Sequence, residues 1–442
     1  MYKKTHIHFI GIGGIGMSGI AKILSQQGYH ISGCDNDCSQ KSVLDLKALG
    51  CAVYEGNNHA LCDDESIELI VYSSDVKLHH PELLKAAQKN IPCISRGVML
   101  AELTRTKYTI AVAGSHGKTT TTSLISHIFL HAQMNPTVII GGHLQSISSN
   151  ATHGEGDFLI TETDESDRSL LHLYPTMAIL TNIDREHLNT YENIHDLTTT
   201  FYQFLKKIPF YGKAFLCVDD PHIQALLPLT TTPTATYGSS CKAEWYFKDP
   251  ELKADHSTYT LMHKNTVIGS VVIRMPGIHN VLNSVAAIAA SLESGISFTT
   301  AAEALATFSG VERRFTFKGT FQGAEIFDDY GHHPTEIACT VAVARKRAQN
   351  KLIMIFQPHR YTRTQALFSQ FVPALSLADE VLLMDIYPAG ESPIEGVSTL
   401  SLIQAIQAKG VKVRSIEEIS FTPPLITTSI FFGNKTKKLP NL

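Results

Sequence analysis

Residues 108–124 read YTIAVAGSHGKTTTTSL. Thr109–Ala113 is a short apolar run, the length of a buried strand. It ends in Gly114, and Gly117-Lys118-Thr119-Thr120 follows after two residues. A strand that leaves through a glycine loop into a helix turns backbone N–H groups toward phosphate oxygens. Lys118 has the reach for β- and γ-phosphates, and the Thr119 hydroxyl suits Mg2+. The spacing departs from the common phosphate loop, because Val112 stands where its first glycine would be. A plain turn gives no packing reason for Gly-Lys-Thr-Thr. Gly114, Ser115, His116, Gly117, Lys118, Thr119 and Thr120 therefore read as an ATP cradle within an α/β sheet.

Upstream, residues 6–21 read HIHFIGIGGIGMSGIA, and Asp35 ends the next strand. Gly11, Gly13 and Gly16 form G-x-G-x-x-G between a strand and a helix, with Gly14 inside the motif. Read alone, this loop fits NAD or FAD with Asp35 on a ribose, or another diphosphate ligand. Read with the second loop, the balance changes. A dehydrogenase needs one such loop, whereas a ligase coupling ATP to a nucleotide-linked substrate needs two.

The chain has 442 residues, which suggests about three domains. Apolar residues are 43%, charged residues 18% and net charge −4. That is ordinary globular composition with no basic footprint for nucleic acid. No run of 18 uncharged apolar residues predicts a membrane span. The eight cysteines are scattered, and Cys34 and Cys38 find no second pair at zinc spacing, so thiols in a reducing cytoplasm are expected. The 21 histidines are the unusual count. Strand and helix patterns alternate up to residue 106 and resume at Tyr108, with helices over Thr119–His131 and Asn280–Ser294. Two hairpin strands, STYTLMH and VIGSVVIRM, lie in a less regular patch, Thr230–Met275. A third series starts near Gly310, with helices from Pro334, from Thr364 and over Leu402–Lys409. The expected domains are 1–107, 108–309 and 310–442.

Polar clusters stand at the strand ends. TETDESDRS (161–169) offers Glu162, Asp164, Glu165 and Asp167, either to Mg2+ or to solvent. TNIDREHLNTY (181–191) places His187 after another strand. Asn280, in PGIHNVLN, is either a helix N-cap or a reader of an adenine edge. Arg313 and Arg314 in GVERRF are either interdomain ion pairs or a phosphate clamp. DDYGHHPTE (328–336) gathers Asp329, His332 and His333, and FQPHRYTRT (356–364) gathers His359, Arg360 and Arg363. Both fall where open α/β sheets bind ligands, and arginines suit carboxylates.

Taken in order, HFIGIGGIGMSGIA, AGSHGKTTTTSL, ETDESDRS, TNIDREH, PGIHNVLN, FSGVERRF, DDYGHHPTE and FQPHRYTRT resemble the Mur ligase family over residues 7 to about 396. The resemblance implies an N-terminal Rossmann-like domain holding UDP, a central ATPase-type domain with a phosphate loop, and a C-terminal Rossmann-like domain. It moves Gly11, Gly13, Gly14 and Gly16, with Ser73, to the UDP diphosphate and removes the ribose role of Asp35. It implies Thr119 and Glu162 as ligands of one Mg2+ and His187 of a second, Asn280 near adenine, and Arg313, Arg314 and Asp329 near the nucleotide. His359, Arg360 and Arg363 would hold substrate carboxylate and amino acid. The implied reaction joins L-alanine to the carboxylate of UDP-N-acetylmuramate through an acyl phosphate, in the cytoplasm, by a monomer or homodimer. Lys118, His187, Asp329, His332 and His333 are the candidate catalytic residues. Two departures stand out. Glu186 replaces the commoner Asp before His187. The end, LITTSIFFGNKTKKLPNL, replaces a final strand, Gly-Ala-Gly turn and helix, so a divergent or truncated end is expected there. Alternatives are another amino-acid or peptide ligase of the family, a dehydrogenase, or a degenerate nucleotide-binding member.

Overall fold

A computed structural model of the chain describes residues 5–56, 64–147, 149–186, 190–321 and 323–416, and the backbone of 429–432. His187 and the last ten residues lie outside these. Contacts divide the chain into two compact units. The first comprises Met1–Phe247, Leu261–Gly269 and Asn283–Leu305; the second comprises Lys248–Thr260, Ser270–Leu282 and Ala306–Leu442.

In the first unit, β1 (His6–Ile10), β2 (His30–Asp35), β3 (Ala52–Glu55), β4 (Leu69–Tyr72) and β5 (Cys93–Ser95) form a parallel sheet in the order β3-β2-β1-β4-β5. Every residue of β1 is buried, as a central parallel strand requires. The order reverses between β1 and β4, so the sheet opens a crevice at their carboxyl ends, where Gly11 and Ser73 stand.

A larger sheet belongs mostly to the same unit, with parts of its last three strands counted in the second. Its strands are β6 (Tyr108–Ala113), β7 (Thr137–Leu144), β8 (Ser149–Thr152), β9 (Phe158–Glu162), β10 (Met177–Leu180), β11 (Lys213–Cys217), β12 (Thr234–Gly238), β13 (Trp245–Leu252), β14 (Ser257–His263) and β15 (Thr266–Ile273). They run in the order β15-β14-β13-β12-β11-β10-β6-β9-β7-β8. β6 lies between β10 and β9, parallel to both. The expected hairpin is present. Lys264 and Asn265, between β14 and β15, take φ of 47° and 66°, as a two-residue turn demands. The patch around it is more regular than its composition implied, because β12 and β13 pair there in parallel.

The helix Ile15–Gln26 packs on β7 and β8, and Gly19 makes this possible. A Cβ there would lie 3.2 Å from the Ala151 Cβ. Asn150 Nδ2 donates to the Ile15 carbonyl at 2.6 Å, and Lys22 Nζ donates to Ser149 Oγ at 2.8 Å. The two sheets of this unit are thus tied by packing and polar contacts together.

In the second unit, β16 (Thr316–Phe321), β17 (Ala324–Asp328), β18 (Leu352–Phe356), β19 (Glu380–Leu383), β20 (Lys412–Ser415) and β21 (Ser429–Phe432) form a sheet in the order β16-β17-β21-β18-β19-β20. Only β16 is antiparallel to its neighbour. Leu352, Met354, Phe356, Phe371, Leu375, Val381 and Leu402 fill its core. The unusual terminal segment supplies β21, which pairs with both β17 and β18. The helix expected from Thr364 is two helices, Tyr361–Ala366 and Phe368–Leu375. Leu367, between them, has φ −109°, outside the helical range. No described helix is long and apolar enough to cross a membrane.

Candidate functional site

The first glycine loop leaves β1 at the crevice. Gly11 takes φ 78°, and its N–H and that of Ile12 donate to the Cys34 carbonyl at 2.9 and 3.0 Å. A Cβ on Gly11 would meet Ser73 Cβ at 3.3 Å, and one on Gly13 would meet Asp35 Oδ2 at 2.8 Å. The helix then starts at Ile15 with Gly14 as a cap that offers no side chain. Its first N–H groups stay available to an anion. Asp35 corrects the ribose reading. Its carboxylate accepts from Gly13 N at 2.8 Å and Asp37 N at 3.1 Å, so it braces the loop.

The second loop leaves β6 in the same way. Gly114 has φ 129°, and a Cβ there would sit 2.2 Å from Thr181 Oγ1. Gly117 has φ 79° and caps the helix Lys118–His131. The loop is tied to the chain after β10. Ser115 N donates to Asn182 O at 3.0 Å, and His116 N donates to Asn182 Oδ1 at 2.8 Å. His116 Nε2 lies 3.0 Å from Asp184 Oδ2. The conformation is therefore fixed by the protein itself.

Lys118 curls over this loop. Its Nζ donates to Gly114 O at 2.6 Å, Ser115 O at 3.0 Å and Glu165 Oε1 at 2.7 Å. Burial alone would discourage its charge, but the carboxylates of Glu165, Glu186 and Glu162 outweigh it and hold the ammonium above its ordinary range. Thr119 Oγ1 donates to Glu162 Oε2 at 2.8 Å, and Gly141 N donates to Glu162 Oε1. A hydroxyl and a carboxylate side by side are hard oxygen donors, the set a magnesium-class cation takes. Thr120 is buried in the first turn of the helix.

Arg96 links the first loop to the acidic segment after β9. Gly16 Cα packs beside its guanidinium, where a Cβ would lie 3.1 Å from Nη1. Its Nη2 lies 2.8 Å from Asp164 and 3.7 Å from Asp167. Burial favours a neutral Asp164, yet Arg96 and Ser166 hold its carboxyl below the usual range. Sequence reading missed Arg96 and gave Glu165 no partner. Both pairings span dozens of residues, and no local pattern announces them.

The second unit assembles its own cluster. Asn280 is not a helix cap. The helix begins at Ile278, and Asn280 Nδ2 donates back to Pro276 O at 2.8 Å. Arg313, at φ 61°, lies over the Tyr330 ring at 4.9 Å, with Nε 3.6 Å from Asp328. Arg314 lies over the same ring at 5.6 Å and 3.8 Å from Glu336. Asp329 accepts from Phe315 N at 2.8 Å and Gly331 N at 2.7 Å. Burial pushes its carboxyl up to about 6, against the pull of Arg314. His279 is pushed the other way, down to about 4, by burial and by Arg314.

His333 caps the helix Pro334–Arg347, its Nδ1 accepting from Thr335 N at 3.3 Å, and Glu336 closes the capping box. His332 Nδ1 lies 3.2 Å from Tyr330 O, and its ring is 6.4 Å from that of His359. His359 stacks on Tyr387 at 5.5 Å. Arg363 Nη1 is 3.3 Å from His359 Nδ1. Arg360 takes φ 72° and its N–H donates to Tyr387 O at 2.8 Å, while its guanidinium is 3.7 Å from Glu391. Glu391 also accepts from Thr362 N at 3.0 Å and Thr362 Oγ1 at 2.7 Å. His332, His359, Arg360 and Arg363 thus share one end of the sheet with Tyr387 and Glu391, two partners the sequence left unassigned.

Paired phosphate-binding loops and a cluster of arginines and histidines define a nucleotide-dependent ligase of the α/β type. The chain belongs to the Mur ligase family. Residues 6–108 match the Mur ligase family catalytic domain, 112–291 the Mur ligase middle domain, and 313–422 the Mur ligase glutamate ligase domain. It is 45% identical to the UDP-N-acetylmuramate--L-alanine ligase of Syntrophus aciditrophicus, over 92% of this chain and 84% of that protein. It is 46% identical to the enzyme of the same name from Geobacter sp. strain M21, over 93% and 89%. The crystal structure of UDP-N-acetylmuramate-alanine ligase from Thermotoga maritima superposes with a TM-score of 0.81 at 26% identity, covering 97% of this chain and 95% of that one. A murein peptide ligase from Psychrobacter arcticus shares the fold at a TM-score of 0.73 and 22% identity, over 97% and 96%. These matches replace the dehydrogenase reading.

Proposed function

We propose that this chain joins L-alanine to the carboxylate of UDP-N-acetylmuramate, cleaving ATP to ADP and phosphate, as a step of peptidoglycan precursor synthesis in the cytoplasm. The observation that carries the proposal is the second loop: a preformed glycine cradle, a charged Lys118 and a Thr119–Glu162 oxygen pair stand together at the start of one helix. The first loop, at the crevice between β1 and β4, supplies a separate place for the UDP diphosphate. Relatives at 45% and 46% identity bear the name of this activity.

The chemistry needs activation, because an oxide dianion is a poor leaving group from a carboxylate. The muramyl carboxylate attacks the γ-phosphorus, and ADP departs with the bonding pair. The amine of alanine then attacks the acyl carbon, and inorganic phosphate leaves. Lys118 stabilises charge on the transferring phosphoryl group. Thr119 and Glu162 would hold one Mg2+ and His187 a second, and these ions would supply charge neutralisation between triphosphate and carboxylate. Gly11, Gly13, Gly14, Gly16 and Ser73 hold UDP; Gly114, Ser115, His116, Gly117 and Thr120 hold ATP phosphates. Asn280, Arg313 and Arg314 serve the nucleotide. His359, Arg360 and Arg363 take the carboxylate and the amino acid. Asp329, His332 and His333 are the remaining catalytic candidates, and the His333 cap makes it a positioning group for its helix. Domain seams near residues 107 and 310 remain part of this reading, supported by three sheets that each draw their strands from one of the three segments.

Phosphate release in the presence of ATP, Mg2+ and UDP-N-acetylmuramate tests this. It should require L-alanine. Preference for another amino acid or a tripeptide would assign a sister activity, and no release with any acceptor would mark a degenerate member.

A further inference from the structure

The first strand reads His6-Ile7-His8-Phe9-Ile10 and is wholly buried. His6 and His8 point to one face of the sheet, by the two-residue period of a strand. Neither belongs to the nucleotide loops. A ring nitrogen of His8, Cys34 Sγ and a carboxylate oxygen of Glu82 all lie within 4.8 Å of one another, and all three residues are buried. They come from β1, β2 and the first turn of the helix Pro81–Gln88.

Polar contacts reach the cluster from the surface inward. The Ser66 hydroxyl donates to Asp64 at 2.6 Å. His6 Nδ1 lies 2.7 Å from Ser66 Oγ, and His6 Nε2 lies 2.8 Å from Ser32 Oγ. His8 Nδ1 lies 2.8 Å from the same Ser32 oxygen, and His8 Nε2 lies 3.2 Å from Glu82 Oε2. An outer hydroxyl that fixes the tautomer is the usual support of a metal-bound imidazole.

We propose that His8, Cys34 and Glu82 form a buried site for a thiolate-preferring divalent cation of the zinc class. Tetrahedral zinc, with bonds of about 2.0 Å to N and O and about 2.3 Å to S, places N and O about 3.3 Å apart and S and O about 3.5 Å apart. The structure has 3.2 Å between His8 and Glu82 and 3.4 Å between Cys34 and Glu82. Binding releases the Cys34 proton to solvent, leaving thiolate, imidazole and carboxylate as ligands. The donor set differs from the all-oxygen Thr119–Glu162 pair, so the two sites select different ions. The Cys34 carbonyl receives the Gly11 and Ile12 N–H groups, so an ion here anchors the strand end under the first glycine loop.

Cobalt(II) titration of the metal-stripped full chain tests the site, with Mg2+ in excess and the exposed Cys241 replaced (Cys241→Ser). The expected result is a sulfur-to-cobalt charge-transfer absorption that saturates at one equivalent and is displaced by zinc. Cys34→Ser should abolish it, and Ser32→Ala should weaken binding about tenfold. No saturating absorption, or equal absorption in folded Cys34→Ser, overturns the proposal. X-ray absorption of the zinc-loaded chain guards against misfolding of the variant. One sulfur in the first shell supports the site, and a shell without sulfur overturns it.

Discussion

Asp329 and His279 show how much a single residue's surroundings can redirect its charge. Asp329 is buried and His279 half-buried in the second unit, and Arg314 acts on both. For Asp329 the folded value, about 6, lies above the ordinary 3.8. Its contribution to stability is therefore present below about pH 4 and is lost as pH rises through 6. For His279 the folded value, about 4, lies below the ordinary 6.5. Its contribution is present above that ordinary value and is lost as pH falls toward 4. Each shift corresponds to about 3 kcal/mol at full extent. The two trends oppose one another, so the intact protein should show a shallow profile between pH 4 and 7. Asp329→Asn should expose the histidine trend, its stability falling steeply with acidification relative to the parent. Denaturant midpoints across that range measure it, and a variant whose profile parallels the parent would refute the burial argument. Neither shift was legible in the sequence. DDYGHHPTE and PGIHNVLN name the groups, but burial and the Arg314 contact arise only when distant segments meet.

At the scale of elements, the glycine loops were the most legible features, for a physical reason. Gly114 combines φ 129° with a space that a Cβ would share with Thr181 Oγ1 at 2.2 Å, so the residue type records the backbone directly. Gly114→Ala should abolish ATP binding, as seen by calorimetry, and leave binding of the UDP sugar within about threefold. Parallel loss of both would mean that the two loops are one site. Strands such as β1 and β6 were equally plain, since continuous burial writes continuous apolar sequence. β13, WYFKDPEL, was not, because its second half is exposed and carries charges and a proline. Asn280 could be read as a cap or as a reader of an adenine edge, because it precedes an apolar run. The helix instead starts at Ile278, following Gly277 at φ 103°.

Over the whole molecule, the class followed from having two phosphate loops, and neither loop alone would have given it. One glycine loop with Asp35 suggests a dehydrogenase; with Gly13 N on its carboxylate, Asp35 is a brace and that suggestion lapses. The pairings that make the loops work were out of reach of sequence reading, since Lys118–Glu165 and Arg96–Asp164 join residues far apart along the chain. The central claim is that the carboxylate of the UDP sugar is activated by the γ-phosphoryl group of ATP. UDP-N-acetylmuramate labelled with oxygen-18 in that carboxylate tests it most directly, with mass analysis of the phosphate released during turnover with L-alanine. The account predicts one oxygen-18 atom in each phosphate released. Unlabelled phosphate, formed alongside ligated product, would contradict it.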